Sequence, residues 1–213
     1  MQENTMVTGR PYLRLVNPKL EDLEGLIWEP WQDLALVLCV RGKTDHGTFH
    51  INIPEDARGL EKIDIENMME NARETLAELA EINGMREMVG KLTGDISEED
   101  ITDLGLTDIM DWFEDTGEEM LTVTTADGVN GASAITLPEV QQELQRRLGD
   151  YYIIPSSKHE VLCFSAQDVE PSGLNNMIMQ VNIAEVETKD WLGDHAYICK
   201  NGVISSVERG EGS

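Results

Sequence analysis

Pro155, Ser156, Ser157, Lys158, His159 and Glu160 sit together in the stretch GDYYIIPSSKHEVLCF, residues 149–164, and place two hydroxyls, an amine, an imidazole and a carboxylate within six positions. A serine nucleophile needs a base in hydrogen-bond contact and a third group that orients that base. In an extended chain Ser157 and His159 project to the same side, but their Cα atoms lie roughly 6–7 Å apart. The stretch has no G-x-S-x-G elbow and no Gly-rich oxyanion loop, and Lys158 follows Ser157 directly, which excludes Ser-x-x-Lys spacing. Pro and Ser are turn residues, and apolar runs lie on both sides. The favoured reading is therefore a turn between two strands. The alternative is a hydrolase with Ser157 as nucleophile and His159 as base.

Other candidates are thinner. His46 and His50, near Asp45, offer two imidazoles but no second ligand cluster, so a surface pair is expected rather than a metal centre. His195 beside Asp194 suggests a local hydrogen bond. The stretches GVNGAS and GEGS have neither a phosphate-loop nor a dinucleotide spacing. No cofactor and no metal are expected.

Charge is the strongest global signal. The 213 residues carry 41 acidic and 16 basic side chains, a formal net charge of −25. Such a chain is repelled by phosphate backbones and anionic lipid, which argues against direct nucleic-acid or membrane contact and for a basic protein partner. The charge is localised: residues 94–119 hold eleven Asp or Glu and no Lys or Arg. Asp95, Glu98, Glu99, Asp100, Asp103, Asp108, Asp111, Glu114 and Asp115 follow helical rather than calcium-loop spacing, and Ser97 with Asp100 resembles a capping box. Trp112 and Phe113 lie among them, as aromatics do on interaction surfaces. The segment reads either as a solvated helical face or as a carboxylate array that imitates a phosphate backbone and fills a basic groove.

The elements that position these residues follow from periodicity. Leu34–Val40 is a continuous apolar run, read as a buried strand, and Thr48–Ile53 alternates, with Thr48, His50 and Asn52 on its polar side. Asp64 caps a helix with Ile65, Met68, Met69, Ala72, Leu76 and Leu79 on one stripe. LTVTT (121–125) and ASAITL (132–137) read as a second hairpin, then Pro138 opens a helix that Gly149 ends. YYII and HEVLCF form a third hairpin, Ser172 caps a helix carrying Leu174, Met177, Ile178 and Val181, and a last hairpin turns at Asn201-Gly202. A short helix near Leu20–Ile27 precedes them. The fold class is α+β: a mostly antiparallel sheet of successive ββα units with helices on one face, plus an acidic helical insert. The organisation expected is an N-terminal part over 1–83, the insert or linker over 84–119 and a C-terminal part over 120–213, packed as one domain. Three well-separated cysteines in apolar stretches fit reduced thiols, and no signal peptide or membrane span is evident, which points to the cytoplasm.

The order LTVTTADGVNGASAITL, LGDYYIIPSSKHEV and VNIAEV…LGDHAYIC resembles a bacterial family of unknown function whose members show a VLTN…GAA pair, an LGxDxYILPSSxHEV hairpin and a VNxTEV…LSDxVY ending. The likeness covers about residues 120–199, and more loosely 31–40. It implies that Pro155, Ser156, Ser157, His159 and Glu160 are signature residues, and it implies no activity. Members of that family are longer at the N-terminus and are often carried on mobile elements, which implies a shortened relative with an anti-defence or regulatory role. The acidic segment lies outside the likeness.

Overall fold

The computed structural model describes residues 9–45, 47–59, 64–84, 120–155, 157–167, 174–175, 178–179, 182 and 186–207. The acidic run 94–119, His46, Ser156, Ser172, Met177 and Val181 lie outside them.

Two antiparallel sheets share one core. In the first, of four strands, β3 (Leu34–Thr44) is central; β1 (Gly9–Val16) pairs along one side of it, and β2 (Trp28–Trp31) and β4 (Gly47–Asn52) share the other. The second has six strands in the order β10-β9-β7-β8-β6-β5, formed by β5 (Ala80–Gly84), β6 (Met120–Thr125), β7 (Tyr151–Ile154), β8 (Val161–Ser165), β9 (Tyr197–Lys200) and β10 (Val203–Ser206). The α+β class and the antiparallel pairing stand.

The main core draws Leu13, Leu15, Leu36 and Leu38 from the first sheet and Leu121, Val123, Ile153 and Cys163 from the second, with Ala72 and Leu76 of α1 (Ile65–Leu79) and Leu144 of α2 (Pro138–Leu148). The start of α1 and both ends of α2 fall where capping chemistry places them. Asp64 accepts from the Asn67 N–H at 3.1 Å, Pro138 opens α2, and Gly149 closes it at φ +71°. Asn201 and Gly202, both at positive φ, turn the last hairpin.

Four expectations are corrected. Helices do not keep to one face, because Tyr152, Ile154 and Phe164 project to the far side of the second sheet and are covered there by helical Leu174 and Ile178. Residues 132–137 are not a strand: Gly131–Thr136 is a 3₁₀ helix, and the partner of β6 on that side is β5. The alternating pattern of ASAITL misleads because Gly131 to Ile135 are all buried, and the Ser133 and Thr136 hydroxyls bond back to the carbonyls three residues earlier, an option that competes with a ladder. Leu20–Ile27 is a series of turns rather than a helix. Asn17 Oδ1 takes the Lys19 N–H, Asp22 Oδ1 takes the Glu24 N–H, and Gly25 reverses the chain at φ +70°. Finally β1, β2 and β5 were not expected; Pro11 sits in β1, an edge strand, which spares its missing N–H.

Candidate functional site

The loop after β6 meets the first sheet at a buried polar junction, and the turn residues 157–160 pack behind that loop. Tyr12 of β1, Arg41 of β3 and His50 of β4 project from one face of that sheet, Arg41 and His50 as directly opposed partners. The second sheet answers with the loop after β6, Ala126–Asn130, and with the turn 155–160 between β7 and β8.

Asn130 is the centre of the junction. Its backbone is left-handed at φ 53°, ψ 34°, a conformation an Asn side chain tolerates, and the residue is buried. Its carbonyl accepts from the Tyr12 hydroxyl at 3.1 Å and the Ser133 hydroxyl at 3.0 Å. Its side-chain amide donates to His50 Nδ1 at 3.2 Å, and its backbone N–H reaches His159 Nδ1 at 3.3 Å. Next to it Gly131 is required by contact: a Cβ there would sit 2.5 Å from Thr124 Oγ1 and from Thr125 N.

Electrostatics around the junction are mixed but ordered. Burial first, then the Arg14, Arg41 and Lys158 cations, hold the His50 imidazole down to about 4. Burial alone would push the Asp127 carboxyl up, but the Thr48 hydroxyl, the Arg41 cation and the Val129 N–H together bring it below the usual carboxylate range. Arg41 pairs with Asp127 and stacks 5.1 Å over the Tyr12 ring. Below them Arg14 pairs with Glu21 and donates to Asn52 Oδ1 at 3.0 Å. Among the described residues, His50 Nε2, Asn130 Oδ1, Arg14 Nε and Arg41 Nε are buried and find no hydrogen-bond partner.

Ser157, Lys158, His159 and Glu160 take separate roles in the turn. Ser157 Oγ accepts the His159 backbone N–H at 3.1 Å, so the hydroxyl faces main chain and no serine–imidazole contact is formed. The His159 ring turns instead to Gly128 O, 3.1 Å from Nδ1, with Nε2 3.7 Å from Asp190. Lys158 pairs with Asp190 at 2.6 Å, and its backbone N–H donates to the Asp190 carbonyl at 2.9 Å. The Thr124 hydroxyl donates to the His159 carbonyl at 2.9 Å, and burial raises the Glu160 carboxyl. Pro155 packs against Gly193, where a Cβ would meet the Pro155 ring at 2.7 Å. In the turn, Ser157, Lys158 and His159 each hold a neighbouring stretch of chain.

His50 was expected at the surface and is instead partly buried in the junction, while Ile51 on the opposite side of β4 is 60% exposed. The polar side of β4 faces in because Asp127, Asn130 and Arg14 meet Thr48, His50 and Asn52 there. Tyr12, Arg41, Asp127 and Asn130 were not singled out as site residues; the Asp-Gly pair at 127–128 and the Asn-Gly pair at 130–131 were the signals available, and both mark turns. His195 does bond Asp194, at 2.9 Å, and its other ring nitrogen lies 3.4 Å from Asp33, which also accepts from the Tyr197 hydroxyl at 2.5 Å. That second polar contact again joins the two sheets. Among the described residues no group of three His, Cys, Asp or Glu is placed to hold a metal, and no helix is long and apolar enough to cross a membrane.

No curated protein and no solved structure matches the chain. A family model does, over residues 6–200, well beyond the 120–199 carried by the motifs, so β1, the polar junction and the acidic run all lie inside the matched region. The family is one of unknown function, DUF5688, and the chain belongs to it.

Proposed function

We propose that this protein acts by binding, with the acidic run 95–119 docking on a basic surface of a protein partner. A nucleic-acid-handling protein is the partner class that fits, since closely spaced carboxylates imitate a phosphate backbone and would inhibit it by occupying its groove. The observation that carries the reading is the concentration of charge: eleven acidic and no basic side chains in residues 94–119 of a chain at −25. An anti-defence role is the biological form proposed for this binding. The arrangement of the signature turn supports binding over hydrolysis, because the Ser157 hydroxyl is committed to the His159 N–H and the imidazole to the 128–130 loop.

The test is recovery of the tagged protein from its host lysate at low salt and then at about 0.5 M salt, where the screening length falls to a few ångströms. A near-stoichiometric basic protein, released by salt, is the expected result. Retention unchanged at high salt, or labelling of Ser157 by a serine-directed phosphonate that His159→Ala abolishes, overturns the reading.

A further inference from the structure

The face of the first sheet that carries the polar junction also carries, at its other end, a groove of mixed lining, with Leu23, Leu26 and Trp28 on its walls and an acidic rim. Trp28 of β2 is paired across from Val37 of β3, and Val37 forms a small buried cluster with Val16 and Ala35 onto which Leu23 and Leu26 pack. Leu23, Leu26 and Trp28 line a groove of about 420 Å³ between the 23–28 loop and the start of the 3₁₀ helix Glu55–Gly59. Trp28 is 45% exposed there. Trp28 belongs to none of the core clusters of the described residues, and tryptophan is a residue type that often anchors a partner.

The walls are fixed rather than loose. The Glu55 N–H donates to the Gly25 carbonyl at 2.7 Å, and Leu26 bridges to Pro54. Gly25 makes the approach at φ +70°. Among the described residues, the charged side chains that line the groove are Glu24 and Glu55, both exposed. Asp22 and Asp56, also exposed, extend the same sign on either side.

We infer that this groove is a docking site for a basic amphipathic segment, a peptide that lays leucine-like side chains against Trp28, Leu23 and Leu26 while its lysines or arginines face Glu24 and Glu55. The inference rests on the basic-partner reading above and adds a second, structured contact away from residues 95–119. Apolar complementarity supplies affinity, and the carboxylate rim selects cationic segments over neutral or acidic ones.

The experiment uses the full chain and a fluorescein-labelled synthetic Leu/Lys peptide of about four helical turns, with a scrambled peptide of the same composition as control. The amphipathic peptide is expected to bind at least about tenfold more tightly than the scrambled one, and Trp28→Ala to weaken it about tenfold. Glu24→Gln with Glu55→Gln is expected to weaken it several-fold and flatten its salt dependence. These side chains are exposed, so the variants fold, which circular dichroism checks. Equal binding of the two peptides, no binding, or wild-type affinity in both groove variants overturns the inference. A third protein, with Asp103, Asp108, Asp111 and Glu114 changed to their amides, separates the two readings. Peptide binding lost there but kept in the groove variants defeats the groove alone. Peptide binding through the groove, together with an unaltered host partner on the amide variant, supports the groove and defeats the acidic run.

Discussion

The side-chain amide of Asn130 donates to His50 Nδ1 at 3.2 Å while the backbone of the same asparagine stands in the left-handed region at φ 53°. One residue thereby ties a loop of the second sheet to a strand of the first and ends the run into the 3₁₀ helix. Asn130→Ala removes the amide and places an ordinary Cβ residue in a strained conformation, a combined cost of roughly 2–3 kcal/mol. Asn130→Gly keeps the conformation and loses only the bonds, roughly 1–2 kcal/mol. Urea unfolding of the two variants should rank them in that order; the reverse order would remove Asn130 from the centre of the junction.

His50 makes stability depend on pH in a defined window. Its folded value is about 4 against 6.5 when unconstrained, so between those limits the unfolded chain takes up a proton that the folded chain refuses. The contribution is complete above pH 6.5 and declines as pH falls towards 4, by roughly 1–2 kcal/mol for a partly buried ring. The 41 carboxylates also titrate at the acid end, so the observable is the difference between the wild type and His50→Gln. The wild type should lose more stability from pH 7 to 4 than the variant. Parallel curves would contradict the placement of His50.

Gly131 tests the same junction by sterics. A Cβ at that position meets Thr125 N at 2.5 Å and the His159 carbonyl at 2.6 Å, both backbone, whereas at Gly84 it meets nothing within 4 Å. Gly131→Ala should cost about 3 kcal/mol or prevent folding, and Gly84→Ala should be within about 0.5 kcal/mol of the wild type in thermal unfolding.

The three thiols provide a solvent-access check. Cys39, Cys163 and Cys199 are at most 1% exposed, and burial pushes the Cys39 thiol up to about 12 and the Cys163 thiol higher still. A disulfide reagent at neutral pH should titrate none of them in the native protein and all three in denaturant. Rapid native reaction would show that the core is open.

The parts of this fold that were legible in the sequence are those where one local signal decides. Asp64 with its apolar stripe, Pro138 with Gly149, YYII as a strand, and Asn201-Gly202 each carry their own physics and stand in the structure. The junction was hidden because it is made by pairs far apart in the chain: Tyr12 with Asn130, Arg41 with Asp127, Asn130 with His159. Period-2 alternation identified which side of β4 was polar, but polarity does not reveal that an opposing sheet supplies partners for it. The turn 155–160 was read for its residues, whereas His159 and Lys158 take their partners from the 128–130 loop and from Asp190, distant in the chain.

The most direct measurement of the central claim is the amount of partner held by two forms of the tagged protein recovered side by side from host lysate: the wild type, and one with Asp103, Asp108, Asp111 and Glu114 changed to their amides. Docking through the acidic run predicts a basic protein near one-to-one on the wild type, released by salt, and at least about tenfold depleted on the amide form. Equal partner on both forms, or a partnerless monomer from the wild type, contradicts it.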